Sequence, residues 1–210
     1  MSVKPKGGGK QPVRVGKTYV AFLRGINVGG RSAMAMEDLG AAFSALDFEG
    51  VRTILASGNV IFEAGKGQDA PEIVARIESR LKKSFGLDIE VILRPMSAVK
   101  KLVAAAPFAA EARTADTRFY VTFLREASEY ARVHNYESIE RDMRIFGQSA
   151  GEVASTIVLS EKRGTTDLMR LIEKRFGPAI TTRNWSTIEK IAASKRKRPA
   201  EAKPRVRKPQ

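Results

Sequence analysis

The chain has 210 residues with 37 Lys and Arg against 23 Asp and Glu, a formal net charge of +14, and no cysteine. No apolar run reaches the roughly 18 residues of a membrane span, and the N-terminus lacks the apolar stretch of a secretory signal. Without cysteine neither a disulfide nor a thiolate metal site can form. The length suits one large domain or two small ones, and a reducing cytoplasm is the expected setting.

The charge is unevenly placed. Residues 1–17 hold five basic residues and no acid, and residues 195–210 hold eight against Glu201 alone, which leaves +2 for residues 18–194. Both ends are expected to be disordered tails, because Gly7-Gly8-Gly9 and KRKRPAEAKPRVRKPQ offer almost nothing apolar to bury. Such tails can hold phosphate backbones electrostatically or simply solvate the chain.

In chain order, Thr18–Arg24 is a continuous apolar run of strand length, and Glu37–Leu46 places Leu39, Ala42, Phe43 and Leu46 on one helical face. Val51–Ala56 and Asn59–Glu63 predict strands of a hairpin around Ser57-Gly58. A helix follows, with Asp69 as cap, Pro71 in its first turn and Gly86 at its end. Ile89–Leu93 predicts a strand and Ser97–Ala105 a helix stopped by Pro107. The order β-α-β-β-α-β is the split βαβ, or ferredoxin-like, unit. In such a unit the outer strands are expected to run antiparallel to one neighbour and parallel to the other.

The order then restarts. YVTFLR at 120–125 repeats YVAFLR at 19–24. A weak helical segment, Asn135–Arg141, precedes strands Met143–Phe146 and Ser155–Leu159, a helix Asp167–Phe176, a strand Ala179–Thr182 and a last helix capped by Asn184. Ser84-Phe85-Gly86 matches Arg175-Phe176-Gly177, and Arg94-Pro95-Met96-Ser97 matches Arg183-Asn184-Trp185-Ser186. The expected fold is therefore α+β, with two tandem ferredoxin-like halves, 18–106 and 107–194, packed into one compact core between the tails. The first strand of each half is apolar without alternation, so both sheet faces should be covered. That argues against an open RNA-recognition platform, which exposes aromatic rings on one face.

Three segments depart from a plain core-and-solvent pattern. Arg24-Gly25-Ile26-Asn27-Val28-Gly29-Gly30-Arg31 joins a buried strand to a helix, the arrangement in which backbone N–H groups cradle anions, although it is neither a Walker A nor a G-x-G-x-x-G sequence. Ser57-Gly58-Asn59 sets a polar side chain on each side of a turn glycine, which turn chemistry alone can explain. Thr181–Thr187 gathers hydroxyls, Arg183, Asn184 and the only Trp at a strand-to-helix junction.

LRGINVGGR, Met36-x-x-Leu39, VRTxxxSGNVIF and TTRNWSTIEK together resemble the signatures of the bacterial domain-of-unknown-function family 1697, over about residues 18–194. The resemblance implies two ferredoxin-like halves and no established activity. The family's recurring positions fall on Arg24, Gly25, Asn27, Gly29, Gly30, Ser57, Gly58, Asn59, Thr182, Arg183, Asn184 and Trp185. The chain departs from the pattern at Leu55-Ala56, where an aromatic and an amide-bearing residue are common, and at Arg31, where Lys is frequent.

The single histidine, His134, lacks ligand-spaced neighbours and is expected at the surface, so neither a metal site nor a Ser-His-Asp arrangement is anticipated. No cofactor and no catalytic residue is assigned. The polar and cationic residues Arg24, Gly25, Asn27, Gly29, Gly30, Arg31, Ser57, Asn59, Thr182, Arg183 and Asn184, with Arg94 as a possible addition, form the candidate ligand site. The expected ligand is an anionic or phosphorylated small molecule gripped by Arg. The alternatives are non-specific nucleic-acid binding through the tails, and a purely structural use of the motifs that buries Arg and Asn in satisfied hydrogen bonds.

Overall fold

The computed structural model describes residues 16–26 and 34–195. Its first sheet is built from β1 (Thr18–Leu23), β2 (Glu49–Ile54), β3 (Asn59–Glu63) and β4 (Val91–Pro95), in the order β2-β3-β1-β4. Helices α1 (Met36–Ser44) and α2 (Ala70–Phe85) alternate with these strands, and α3 (Met96–Ala104) follows β4 directly. Local signals set α2 well: the Asp69 carboxylate accepts the Glu72 N–H at 2.8 Å, and Gly86 ends the helix in the left-handed conformation at φ 70.

The second sheet holds β5 (Thr117–Leu124), β6 (Asn135–Glu137), β7 (Met143–Gly147), β8 (Glu152–Val158) and β9 (Ile180–Asn184), in the order β6-β7-β8-β5-β9. Its helices are α4 (Glu129–Val133), α5 (Thr165–Phe176) and α6 (Trp185–Ala193). Leaving β6 aside, β7-β8-β5-β9 has the same order as the first sheet. Every described strand pair is antiparallel, which corrects the expectation of parallel neighbours. The reason is that β2 runs with β1, the β2–β3 hairpin reverses the chain, and β3 and β4 then flank β1 in the opposite sense.

The first strands explain the layering. Side chains alternate between faces along a strand, so Tyr19, Ala21 and Leu23 point to one core with Leu39, Phe43, Ile73, Ile77 and Leu81 of α1 and α2. Val20 and Phe22 point the other way, into a second core shared with Val121 and Phe123 of β5, Met96 and Val99 of α3, and Trp185, Ile188 and Ile191 of α6. Phe22 and Phe123 stack there with ring centroids 4.2 Å apart. Tyr120 and Leu124 face a third core with Leu168 and Ile172 of α5. The two sheets thus pack face to face, with α1 and α2 outside one and α5 outside the other.

Two further expectations are corrected. Asn135–Arg141 is not helical: the helix precedes it as α4, and Tyr136 pairs with Ile145 in a β6–β7 hairpin. The Ser138 Oγ closes that turn by accepting the Asp142 and Met143 N–H groups at 3.0 and 2.9 Å, a local pattern that competes with helix. His134 is buried, only 8 % exposed, rather than at the surface. The expected disordered tails fall almost wholly outside the described residues. Among the described residues no helix is long and apolar enough to cross a membrane.

Candidate functional site

The parts of the three unusual segments that are described meet at one cavity of about 200 Å³. Its walls include Gly25 and Ile26 after β1, Ser57 of the β2–β3 turn, and Thr182, Arg183 and Asn184 at the end of β9. Leu23, Tyr120 of β5, Met169 of α5 and Thr187 of α6 complete it. Arg183 is the only charged residue among these.

Local structure explains how the pieces arrive. Gly25 has φ +70, and Gly58 has φ +71, a conformation that costs other residues roughly 1–2 kcal/mol. A Cβ on Gly58 would lie 2.6 Å from the Ile26 Cδ1, so only glycine lets the hairpin close over the strand end. The chain then passes through β3 at Asn59, which opposes Phe22 across the sheet. Asn59 is wholly buried; its Nδ2 donates to the Ile54 carbonyl and the Ser57 Oγ, both at 2.9 Å.

Arg183 is the centre of the arrangement. It is 9 % exposed and faces the inter-sheet core opposite Val121. Its Nε donates to the Asn59 Oδ1 at 2.7 Å, Nη1 to the Thr181 Oγ1 at 2.7 Å and the Thr182 carbonyl at 2.8 Å, and Nη2 to the Leu23 carbonyl at 2.6 Å. The guanidinium also lies 5.8 Å from the Phe22 ring centroid. All four hydrogen-bond acceptors are neutral, and a guanidinium has five N–H donors. Burial lowers its pKa to about 10, a cost of roughly 3 kcal/mol to the charged form, yet the group stays charged at neutral pH.

The remaining expected residues divide. Arg24 is not on the cavity wall; it is 40 % exposed and paired with Glu90 at 3.0 Å and Glu173 at 3.7 Å. Thr182 shares a 2.8 Å hydroxyl contact with Thr122. Asn184 stands at the start of α6 but its side chain makes no capping bond. Asn27, Gly29, Gly30 and Arg31 lie outside the described residues. Tyr120 and Met169 carry no local signal in the sequence, because tertiary packing alone brings the α5 face of the second sheet to the cavity. Thr187 carried a usable signal, for it closes the TTRNWST segment.

Arg94 is the counterpart of Arg183. It opposes Val20 on β1 as Arg183 opposes Val121 on β5. Its Nη2 donates to the Leu124 carbonyl at 2.6 Å and the Gly151 carbonyl at 3.0 Å, and Nη1 to its own neighbour's carbonyl, Leu93, at 2.9 Å. Its Nε, however, meets a carboxylate, the Glu152 Oε1, at 2.5 Å. Glu152 opposes Phe123 as Asn59 opposes Phe22. Each arginine therefore reaches from its own sheet to the end of the other sheet's first strand.

A search of curated proteins returned no match. Among solved structures, the conserved bacterial protein SP0830 from Streptococcus pneumoniae is similar over 84% of this chain and 97% of its own, with a TM-score of 0.65 and 21% identity, a likeness of fold. The Methanococcus jannaschii TBP aligns over 79% of this chain and 98% of its own, but at a TM-score of 0.23 and 13% identity. The family model for proteins of unknown function DUF1697 matches residues 17–153, a segment holding the Gly-rich loop and the hairpin and ending before Thr182–Asn184. The chain belongs to the DUF1697 family.

Proposed function

We propose that the protein binds a small anionic molecule, with a phosphate or carboxylate group, in the cavity walled by Gly25, Ser57, Thr182, Arg183 and Asn184. The observation that carries this reading is Arg183: a buried guanidinium whose partners among the described residues are all neutral, beside a small cavity lined by hydroxyl and amide groups. A buried charge is ordinarily paired, and an anion in the cavity would supply what the protein does not. The ligand class follows from charge and size, and no reaction is assigned.

The same strand order in both sheets, and the matching places of Arg94 and Arg183, support a duplicated ferredoxin-like unit as the scaffold, with halves at 18–106 and 107–194. Non-specific nucleic-acid binding by the basic tails is the alternative, and it rests on the charge that the sequence concentrates there.

The test is thermal unfolding of the full chain against inorganic phosphate, a small phosphomonoester and a small carboxylate at about 0.15 M salt, which screens exposed charges. Binding raises Tm with concentration. The rise is expected to fall at least tenfold in apparent affinity in Arg183→Gln and, as a gentler change, in Thr187→Val. Equal rises in wild type and both variants would assign anion binding to the tails. So would oligonucleotide binding with a steep salt dependence that neither variant alters.

A further inference from the structure

The two arginines sit in the same surroundings, but the surroundings differ in charge. The Arg94 cleft, about 520 Å³, is lined by Glu78, Leu93, Arg125 and Glu126 among others. Four of its lining residues, Glu78, Leu93, Arg94 and Glu126, have counterparts on the wall of the Arg183 cavity in Met169, Thr182, Arg183 and Gly25. Ile77 and Leu81 of α2 are buried ahead of Gly86 as Leu168 and Ile172 of α5 are buried ahead of Gly177, which sets Glu78 against Met169. The repeated YVxFLR strands, followed by Glu126 and Gly25, set those two residues against each other. The registers set Glu152 against Asn59. Three carboxylates around Arg94 thus correspond to a thioether, a glycine and an amide around Arg183.

We propose that the Arg94 cleft is a second copy of the anion site whose arginine is neutralised by the protein's own Glu152 carboxylate, and that Asn59 is what leaves the Arg183 copy charged. This rests on the anion-binding reading of the Arg183 cavity. The Arg94 Nε bonds the Glu152 Oε1 at 2.5 Å, and the remaining Glu152 oxygen accepts from the Ser149 Oγ, so that carboxylate is held from both sides. Glu78 grips Arg125 in a bidentate pair at 2.6 and 3.1 Å. The cleft is therefore neutralised from within. At Arg183 an amide oxygen occupies the place of that carboxylate, keeps the hydrogen bond and leaves the charge uncompensated. The chain is expected to bind one anion rather than two, and the residue at position 59 decides it.

The experiment is a titration of inorganic phosphate into the full chain by isothermal calorimetry, at about 0.15 M salt so that the tails contribute an equal, screened background in every variant. Wild type is expected to bind one phosphate. Asn59→Asp, which puts a carboxylate on the Arg183 Nε without changing volume, should weaken that site at least tenfold. Should that variant fail to fold, Met169→Glu on the partly exposed face of α5 tests the same point by restoring the Glu78 pattern. Glu152→Gln keeps a hydrogen-bond acceptor at Arg94 and is expected to reveal a second, weaker phosphate. A single site in Glu152→Gln overturns this proposal while leaving the Arg183 reading standing. Wild-type affinity in the folded Asn59→Asp or Met169→Glu protein overturns this proposal and moves the bound phosphate away from Arg183. A wild type that binds neither phosphate nor, in a parallel titration, a small carboxylate overturns both.

Discussion

Arg183 and Arg94 form a reciprocal clasp: each donates from Nη2, at 2.6 Å, to the backbone carbonyl at the end of the other sheet's first strand, Leu23 for one and Leu124 for the other. Because each also lies 5.8 Å from the ring centroid of the adjoining phenylalanine, Phe22 or Phe123, the cations bracket the aromatic stack that joins the sheets. The structural use of the motifs and the ligand-binding use are therefore compatible. The clasp explains why an arginine is buried, and the neutral partners of Arg183 explain why a charge is left over.

The clasp predicts a strong dependence on the Arg94–Glu152 pair, whose side chains are both largely buried. Arg94→Met strands the Glu152 carboxylate and is expected to cost about 3 kcal/mol. Arg94→Met combined with Glu152→Gln should recover a substantial part of the loss, because no unpaired charge remains. Urea denaturation of the two variants and wild type measures the coupling; additive losses would mean that the pair is not a unit.

The β2–β3 turn predicts opposite signs at two positions. Leu55 is 47 % exposed and held at φ +58, where a branched apolar side chain gains little and strains the backbone. Leu55→Asn is expected to stabilise by up to about 1 kcal/mol. Gly58→Ala adds a Cβ in the same left-handed region and against Ile26 and Leu23, so a loss of about 1–3 kcal/mol is expected. Chemical denaturation of the two variants decides between these signs and a turn indifferent to both.

His134 predicts a pH dependence. Its ring lies 4.7 Å from Tyr130 and 5.4 Å from Phe176, centroid to centroid. Arg175, which also stacks on Tyr136, places its Nη1 3.4 Å from the His134 Nε2, so that nitrogen accepts and the imidazole is neutral. Burial first, and then the Arg175 charge, lower the His134 pKa below its ordinary 6.5. The unfolded chain therefore takes up a proton at a higher pH than the native one. Stability is whole above the unfolded pKa and falls as pH drops through it, with a ceiling of about 1.4 kcal/mol per pH unit for one proton. Tm measured from pH 8 to 5.5 should fall more steeply in wild type than in His134→Gln; parallel curves would remove His134 as the cause.

Much of the architecture was readable from local chemistry. Asp69, Pro71 and Gly86 marked α2 because caps and breakers act within a few residues, and the unalternating YVAFLR and YVTFLR runs announced strands covered on both faces. Asn135–Arg141 misled for the same reason in reverse: its weak periodicity lost to pairing with β7, a partner chosen by the hairpin turn at Ser138. A surface position for His134 fails because burial depends on what packs over a residue, here Tyr130 and Phe176.

The site divides along the same line. The residue types of the proposed anion site, a glycine turn, an amide and an arginine beside hydroxyls, are properties of the sequence, and so are the matching segments that pair Arg94 with Arg183. Which arginine has only neutral partners among the described residues is decided by tertiary structure alone. The partner of each guanidinium, Asn59 for one and Glu152 for the other, comes from another strand and is selected by sheet register, and register is set by the packing of two sheets whose halves lie far apart in the chain.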